Sequence, residues 1–330
     1  MVTEVSLEDA EWVGGRAGHS GVESVERLAG GWDNSNHRIC LAGGSSLVLK
    51  IWQAQSVLED VETVIQRHIW LDGNGIPPPV PLMLETGARY AVRDGVAWTL
   101  LPFIEGGHLG SDAASLTSLG AVMARMHEAP TAECFPTEFT MGWDLFERMF
   151  AHAEESGGWT PFPWMLSGES TALRESIPTG LPHGILHGDL FPDNVLGSEG
   201  GVTAILDLEE AWIGPRAFDL VMAYVGFGWD GGAPSEERWQ ALLSGYQSVR
   251  SLTEDEWSAL PNLHRYATLS IAAWRYWKHN MSQPDEKLAD RYLEMVERLD
   301  VPLPFMENRR GPASCTQSAA ARGGAGPNCL

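Results

Sequence analysis

The sequence predicts an α+β protein with a mostly antiparallel sheet and one crossing helix up to residue 103, followed by a mostly helical part. Three observations predict it. Short apolar runs separated by turn residues fill the first part. From residue 104 the apolar positions recur at helical spacing. Residues 183–215 interrupt that pattern with two short apolar runs, each followed by acidic and polar side chains. At 330 residues and 44% hydrophobic, the chain is long enough for two domains or one bilobal unit.

The elements follow in order. Residues 6–14 form a short helix, with Ser6 as N-cap and Glu8 and Asp9 in its first turn. Residues 22–28, 37–41 and 46–52 are strands, with Gly43-Gly44 as a hairpin signal. Val57, Val61, Val64, Ile65 and Ile69 give 57–71 a helical period, which Gly75-Ile76-Pro77-Pro78-Pro79 ends. Strand-like runs at 89–92 and 97–101 complete a first region, 1–103. Helices are expected at 115–128, 143–155, 217–225, 235–250, 254–280 and 284–299, within a second region, 104–308. The apolar runs 184–186 and 202–206 lie between them. The tail, 309–330, is rich in Gly, Ala, Ser and Pro, has no periodicity and is read as disordered.

The charge excludes some partners. Acidic residues number 44 against 22 basic, a net charge of -22, which repels nucleic acid and anionic membrane. No run reaches the ~20 apolar residues needed to span a bilayer. Met1-Val2-Thr3-Glu4-Val5 lacks the basic start and apolar core of a secretory signal, so a cytoplasmic setting is expected. Cys40, Cys134, Cys315 and Cys329 show no redox or zinc spacing.

Phosphoryl transfer from ATP needs cover for the phosphates, a cation, a carboxylate near the acceptor hydroxyl and oxygen ligands for magnesium. Each has a candidate. In His187-x-Asp189-x-x-x-x-Asn194, Asp189 would take the proton of the acceptor hydroxyl. Asn194 would offer magnesium a carbonyl oxygen, and His187 would brace the loop. Alone, this motif is also an ordinary polar loop after a strand. Asp207 closes Thr203-Ala204-Ile205-Leu206 and would be a second metal ligand. Glu209 and Glu210 would either add to the metal site or meet a cationic part of the substrate. Lys50 ends Leu47-Val48-Leu49 and would bind the α- and β-phosphates, held by a carboxylate of the next helix. Glu62 is preferred to Glu59, which lies nearer the helix start and has an ordinary dipole explanation. Gly30-Gly31-Trp32-Asp33-Asn34-Ser35-Asn36 would cover the phosphates with Gly31, Asn34, Ser35 and Asn36, although no Walker motif is present. His183 and His187 lie too far apart along a strand to share a metal.

These residues resemble the aminoglycoside phosphotransferase and choline kinase superfamily. The likeness rests on Ile185-Leu186-His187-Gly188-Asp189-Leu190-Phe191-Pro192-Asp193-Asn194 and on Ile205-Leu206-Asp207-Leu208-Glu209. It implies a bilobal protein-kinase-like fold. Phe218-Asp219-Leu220 resembles the family's aspartate that braces the catalytic loop. The segment ending Arg125-Met126-His127 is similar to a family helix ending Leu-His. Leu100-Leu101-Pro102-Phe103-Ile104-Glu105-Gly106 resembles the hinge, which implies adenine binding beside Leu101 and Phe103.

Within the superfamily the chain is most similar to type II homoserine kinases. Thr3-Glu4-Val5-Ser6, the Gly31 to Asn36 loop, Leu190-Phe191-Pro192-Asp193-Asn194-Val195 and Ala272-Ala273-Trp274-Arg275-Tyr276-Trp277 carry that likeness. It departs at Glu209-Glu210 and at Gly226-Phe227-Gly228-Trp229-Asp230, where the acceptor would sit. The implied cofactors are ATP and Mg2+. The implied acceptor is homoserine, with choline, ethanolamine, hydroxylysine, an amino sugar or an aminoglycoside as alternatives. Glu209 and Glu210 would suit a substrate ammonium, and Arg275 or Arg216 a substrate carboxylate. Two other classes remain open: a non-catalytic kinase-fold nucleotide binder, and a metal-dependent hydrolase using His183, His187 and Asp189.

Overall fold

The computed structural model describes residues 4–28, 34–53 and 56–307; the disorder expected for 309–330 lies outside them. Helix α1 (Leu7–Arg16) starts at a reciprocal cap: the Ser6 hydroxyl accepts from the Asp9 N–H, and the Asp9 carboxylate accepts from the Ser6 N–H. Strands β1 (Val22–Arg27), β2 (Ser35–Leu41), β3 (Ser46–Ile51), β4 (Ala91–Arg93) and β5 (Val96–Pro102) form one antiparallel sheet in the order β1-β2-β3-β5-β4. Period-two alternation gives it two different faces. Leu47, Leu49 and Ile51 pack with Ala10 and Val13 of α1. Val48 and Lys50 point the other way, beside their cross-strand partners Leu101 and Thr99. Helix α2 (Leu58–Gly73) buries Val61, Val64, Ile65, Arg67, His68 and Leu71 and leaves Glu59 and Glu62 exposed.

The rest is mostly helical. A small sheet joins β6 (Gly107–His108) to the hairpin β8 (Val195–Ser198) and β9 (Gly201–Ile205). Helices α3 (Ala113–Glu128), α4 (Trp143–Ser156), α5 (Pro161–Ser176), α6 (Ala217–Phe227), α7 (Glu236–Gln247), α8 (Glu254–Tyr276) and α9 (Leu293–Arg298) surround β7 (His183–Leu186), which pairs with β10 (Trp212–Pro215). The expected α+β architecture is therefore present. No helix among the described residues is long and apolar enough to cross a membrane.

Three local expectations change. Helix α5 was not among the expected helices; it begins at Pro161, and proline is tolerated in a first turn, where its missing N–H has no helical partner anyway. The helix expected over 254–280 ends at Tyr276 and continues as a π-helical turn, Trp277–Ser282. The one expected over 284–299 shortens to α9, preceded by a single 3₁₀ turn, Ala289–Tyr292.

Helices α3 and α7 pack backbone to backbone. A Cβ on Gly120 would lie 2.1 Å from the Leu242 carbonyl oxygen, and one on Gly245 would lie 1.9 Å from that of Thr117. Neither backbone can yield without pushing the helices apart. Gly245→Ala is therefore expected to destabilise the protein by about 3 kcal/mol. The midpoint of urea unfolding checks this, and an unchanged midpoint contradicts the packing argument.

Candidate active site

A cleft of about 550 Å³ lies between the five-stranded sheet and the helical part. Asn34, Asn36, Lys50, Leu101 and Phe103 line it from one side, and Asp189, Asn194, Asp207, Glu209 and Glu210 from the other. Residues 157 and 159 positions apart in the chain meet here because β3 turns alternate side chains inward and the turns after β7 and β9 open toward the sheet.

The turn after β7 is tightly held. Gly188 has φ +83, and a Cβ there would lie 2.7 Å from the Glu210 carbonyl oxygen, so only glycine fits. The fully buried Asp219 carboxylate accepts from the N–H groups of His187 (2.6 Å) and Gly188 (2.9 Å). His187 bonds the Leu206 carbonyl oxygen through Nε2, and its Nδ1 accepts from the Asp189 N–H. It thus ties the turn to the end of β9. Asn194 donates its amide to the Asp189 carbonyl oxygen (2.8 Å) and to Oδ2 (3.0 Å), which leaves its own side-chain oxygen to accept. Burial, then the charges of Asp207, Asp193 and Glu210, push the Asp189 carboxyl up to about 8.

Asp207 sits in the left-handed region at φ 54, ψ 73, rare for a residue with a side chain. That kink ends β9 and turns the carboxylate back toward Lys50. Lys50 Nζ lies 3.5 Å from Asp207 Oδ1, pairs closely with Glu209, and stands 4.6 Å from the centre of the Trp52 ring. Burial pulls the Lys50 ammonium toward the neutral form, but the two carboxylates outweigh it and hold it protonated. Glu209 Oε1 also accepts from Asn34 Nδ2 at 2.6 Å. From below, Arg67 of α2 donates to the carbonyl oxygens of Leu208, Glu209 and Cys134, fixing the turn that carries both acids.

Beside this cluster, Glu210 accepts from the Thr140 hydroxyl, and burial pushes its carboxyl up to about 7. Met141, Ile271, Trp274, Arg275 and Arg291 also line the cleft. Arg275 donates to Glu294 (2.8 Å) and to the Arg291 carbonyl oxygen (3.1 Å).

Two expectations are corrected. Glu62 does not hold Lys50: it lies on the exposed face of α2, one position past the buried Val61, and Asp207 and Glu209 take the lysine instead. Arg216 is not in the cleft, because it is tied to Glu128 and the His183 carbonyl oxygen. Gly31 lies outside the described residues, and Ser35 is paired in β2 with Ile51 and does not line the cleft. Arg67, Thr140 and Trp52 carried no motif in the sequence; Arg67 had one signal, a charged residue on the apolar side of a helix.

With the geometry described, likeness to known proteins can be added. The profile of a family described as "Phosphotransferase enzyme family" matches residues 24–252. The chain is similar to the homoserine kinase of Sinorhizobium fredii, 28% identical over 272 residues that cover 77% of this chain and 79% of that one. Its fold is similar to an amicoumacin kinase in complex with AMP-PNP and Ca2+, with a TM-score of 0.68 and 14% identity over 85% of this chain and 89% of that one. A spectinomycin phosphotransferase in complex with ADP and spectinomycin gives 0.68 and 16% identity over 91% and 96%.

Proposed function

The chain belongs to the phosphotransferase enzyme family and is a small-molecule kinase; we propose that it uses ATP and magnesium to phosphorylate the hydroxyl of homoserine. The observation that carries the reading is the meeting of Asp189, Asn194, Asp207 and Lys50 in one cleft. Residues 1–103 bind the nucleotide, with Leu101 and Phe103 against adenine and Lys50 against phosphate. Residues 104–308 bind the acceptor. Asp189 orients the acceptor hydroxyl and takes its proton as the oxygen bonds to the γ-phosphorus. The bond from that phosphorus to the bridging oxygen breaks, and ADP leaves.

The donor set suits a hard cation: the Asn194 oxygen and the Asp207 carboxylate, amid acids that repel one another. Among the described residues no three His, Cys, Asp or Glu side chains converge on one point. Magnesium takes one or two protein ligands and completes its shell with phosphate and water, so Asn194 and Asp207 would be enough to hold it. Bound there, it supplies positive charge to the phosphate oxygens.

Glu209 was a candidate for the substrate ammonium. Its bonds to Lys50 and Asn34 support a role on the nucleotide side instead. Glu210 remains for the ammonium, and Arg275 beside Arg291 for the carboxylate. An acid and two arginines lining one cleft would suit the two charges of an amino acid such as homoserine. A panel of choline, ethanolamine, hydroxylysine, amino sugars and homoserine, read by ADP release, tests this. Homoserine is expected to give the highest kcat/KM; turnover no better than choline removes it.

A further inference from the structure

A line of buried polar groups runs from Arg250, just past the end of α7, to the turn that carries Asp189. Arg250 Nη1 donates to Tyr246 Oη at 2.9 Å. Tyr246 Oη lies 2.8 Å from His127 Nδ1, and His127 Nε2 lies 3.3 Å from Asp219 Oδ2. Asp219 then accepts the His187 and Gly188 N–H groups, immediately before Asp189. Tyr246, His127 and Asp219 are all fully buried.

Hydrogen-bond chemistry gives the line one direction. A guanidinium has no acceptor, so the Tyr246 oxygen accepts from Arg250. The tyrosine proton is then available to His127 Nδ1, and a carboxylate only accepts, so the ring proton that meets both neighbours sits on Nε2, facing Asp219. Glu256, fully buried, locks the head of the line by pairing with Arg250 at 2.8 and 3.0 Å. The glycine seam between α3 and α7 sets the register: Gly120 lies two helical turns before His127, on the same face, and Gly245 directly precedes Tyr246.

We propose that Tyr246 is a positioning residue for phosphoryl transfer, which holds His127 in the tautomer that donates to Asp219 and thereby fixes the His187-Gly188 turn and the aim of Asp189. This rests on the role of Asp189 proposed above. Without the tyrosine hydroxyl, the imidazole can move its proton to Nδ1. Asp219 then loses a donor inside the core, where a charge with too few donors is costly, and the turn it holds loosens.

The test compares wild type, Tyr246→Phe, His127→Asn and the double variant. Tyr246→Phe is expected to lower kcat by about 10–100-fold, with KM for ATP nearly unchanged. The double variant should be no slower than the slower single one, since both act through Asp219. Hydrogen exchange at the amides of residues 187–194 should speed up in each. If Tyr246 only braced α3 against α7, kcat and that exchange would stay at wild-type values; losses that multiply in the double variant overturn the proposal as well. Should Tyr246→Phe fail to fold, the 15N spectrum of the wild-type imidazoles decides: a His127 proton on Nε2 agrees, and one on Nδ1 overturns it. If no acceptor is phosphorylated by wild type, the kinase reading fails, while exchange and 15N spectra still judge the relay.

Discussion

Asp189→Asn is expected to lower kcat by about 10³-fold or more while leaving KM for ATP nearly unchanged and making the protein no less stable. The amide keeps the shape of the carboxylate but cannot take a proton. Asp189 is half-buried among Asp207, Asp193 and Glu210, and its carboxyl is raised from 3.8 to about 8. A carboxyl whose folded pKa exceeds its unfolded one opposes folding once pH rises above the unfolded value. That penalty starts near 3.8, grows with pH and levels off above about 8. In buffer free of divalent cations the variant should therefore melt higher than wild type at pH 8–9, and the two should converge near pH 4. Activity lost together with stability gained is the signature of a group kept for chemistry. A variant that keeps its rate, or melts lower throughout, contradicts the role given to Asp189.

The parts of this site legible in the sequence share one property: they are local. His187 to Asn194 declares itself because its carboxylate and amide lie five residues apart on one turn. Lys50 declares itself because it closes the apolar run Leu47-Val48-Leu49, and in the structure it lines the cleft beside its cross-strand partner Thr99. What failed was the partner of Lys50. The sequence offered the acids of the next helix, but α2 buries Val61, Val64 and Ile65, and Glu62 necessarily projects to solvent. The true partners lie 157 and 159 residues further on. No periodicity links positions that far apart. The same holds for His127 and Tyr246, whose meeting depends on how closely two helices approach. The α5 helix, absent from the expected helices, opens with Pro161 and Pro163, which are tolerated at a helix start though they would end a helix in its middle.

Asp207 separates backbone shape from charge. Its φ of 54 lies where asparagine is tolerated nearly as well as aspartate and other side chains are strained. Asp207→Asn should therefore keep the turn and lose only the stability its charge gains beside Lys50. Asp207→Ala should lose about 1–3 kcal/mol of stability, and Asp207→Gly should recover the backbone part of that loss. All three remove the carboxylate assigned to the cation, so all three should lower kcat on the order of 10²–10³-fold and raise the divalent-cation concentration that gives half-maximal rate. Lys50 keeps Glu209 as a partner in each, so affinity for ATP should fall less than in Lys50→Met. If Asp207→Asn turned over like wild type at the same cation requirement, the carboxylate would serve only to orient Lys50. The cation would then have to rely on Asn194 and ligands from outside the protein.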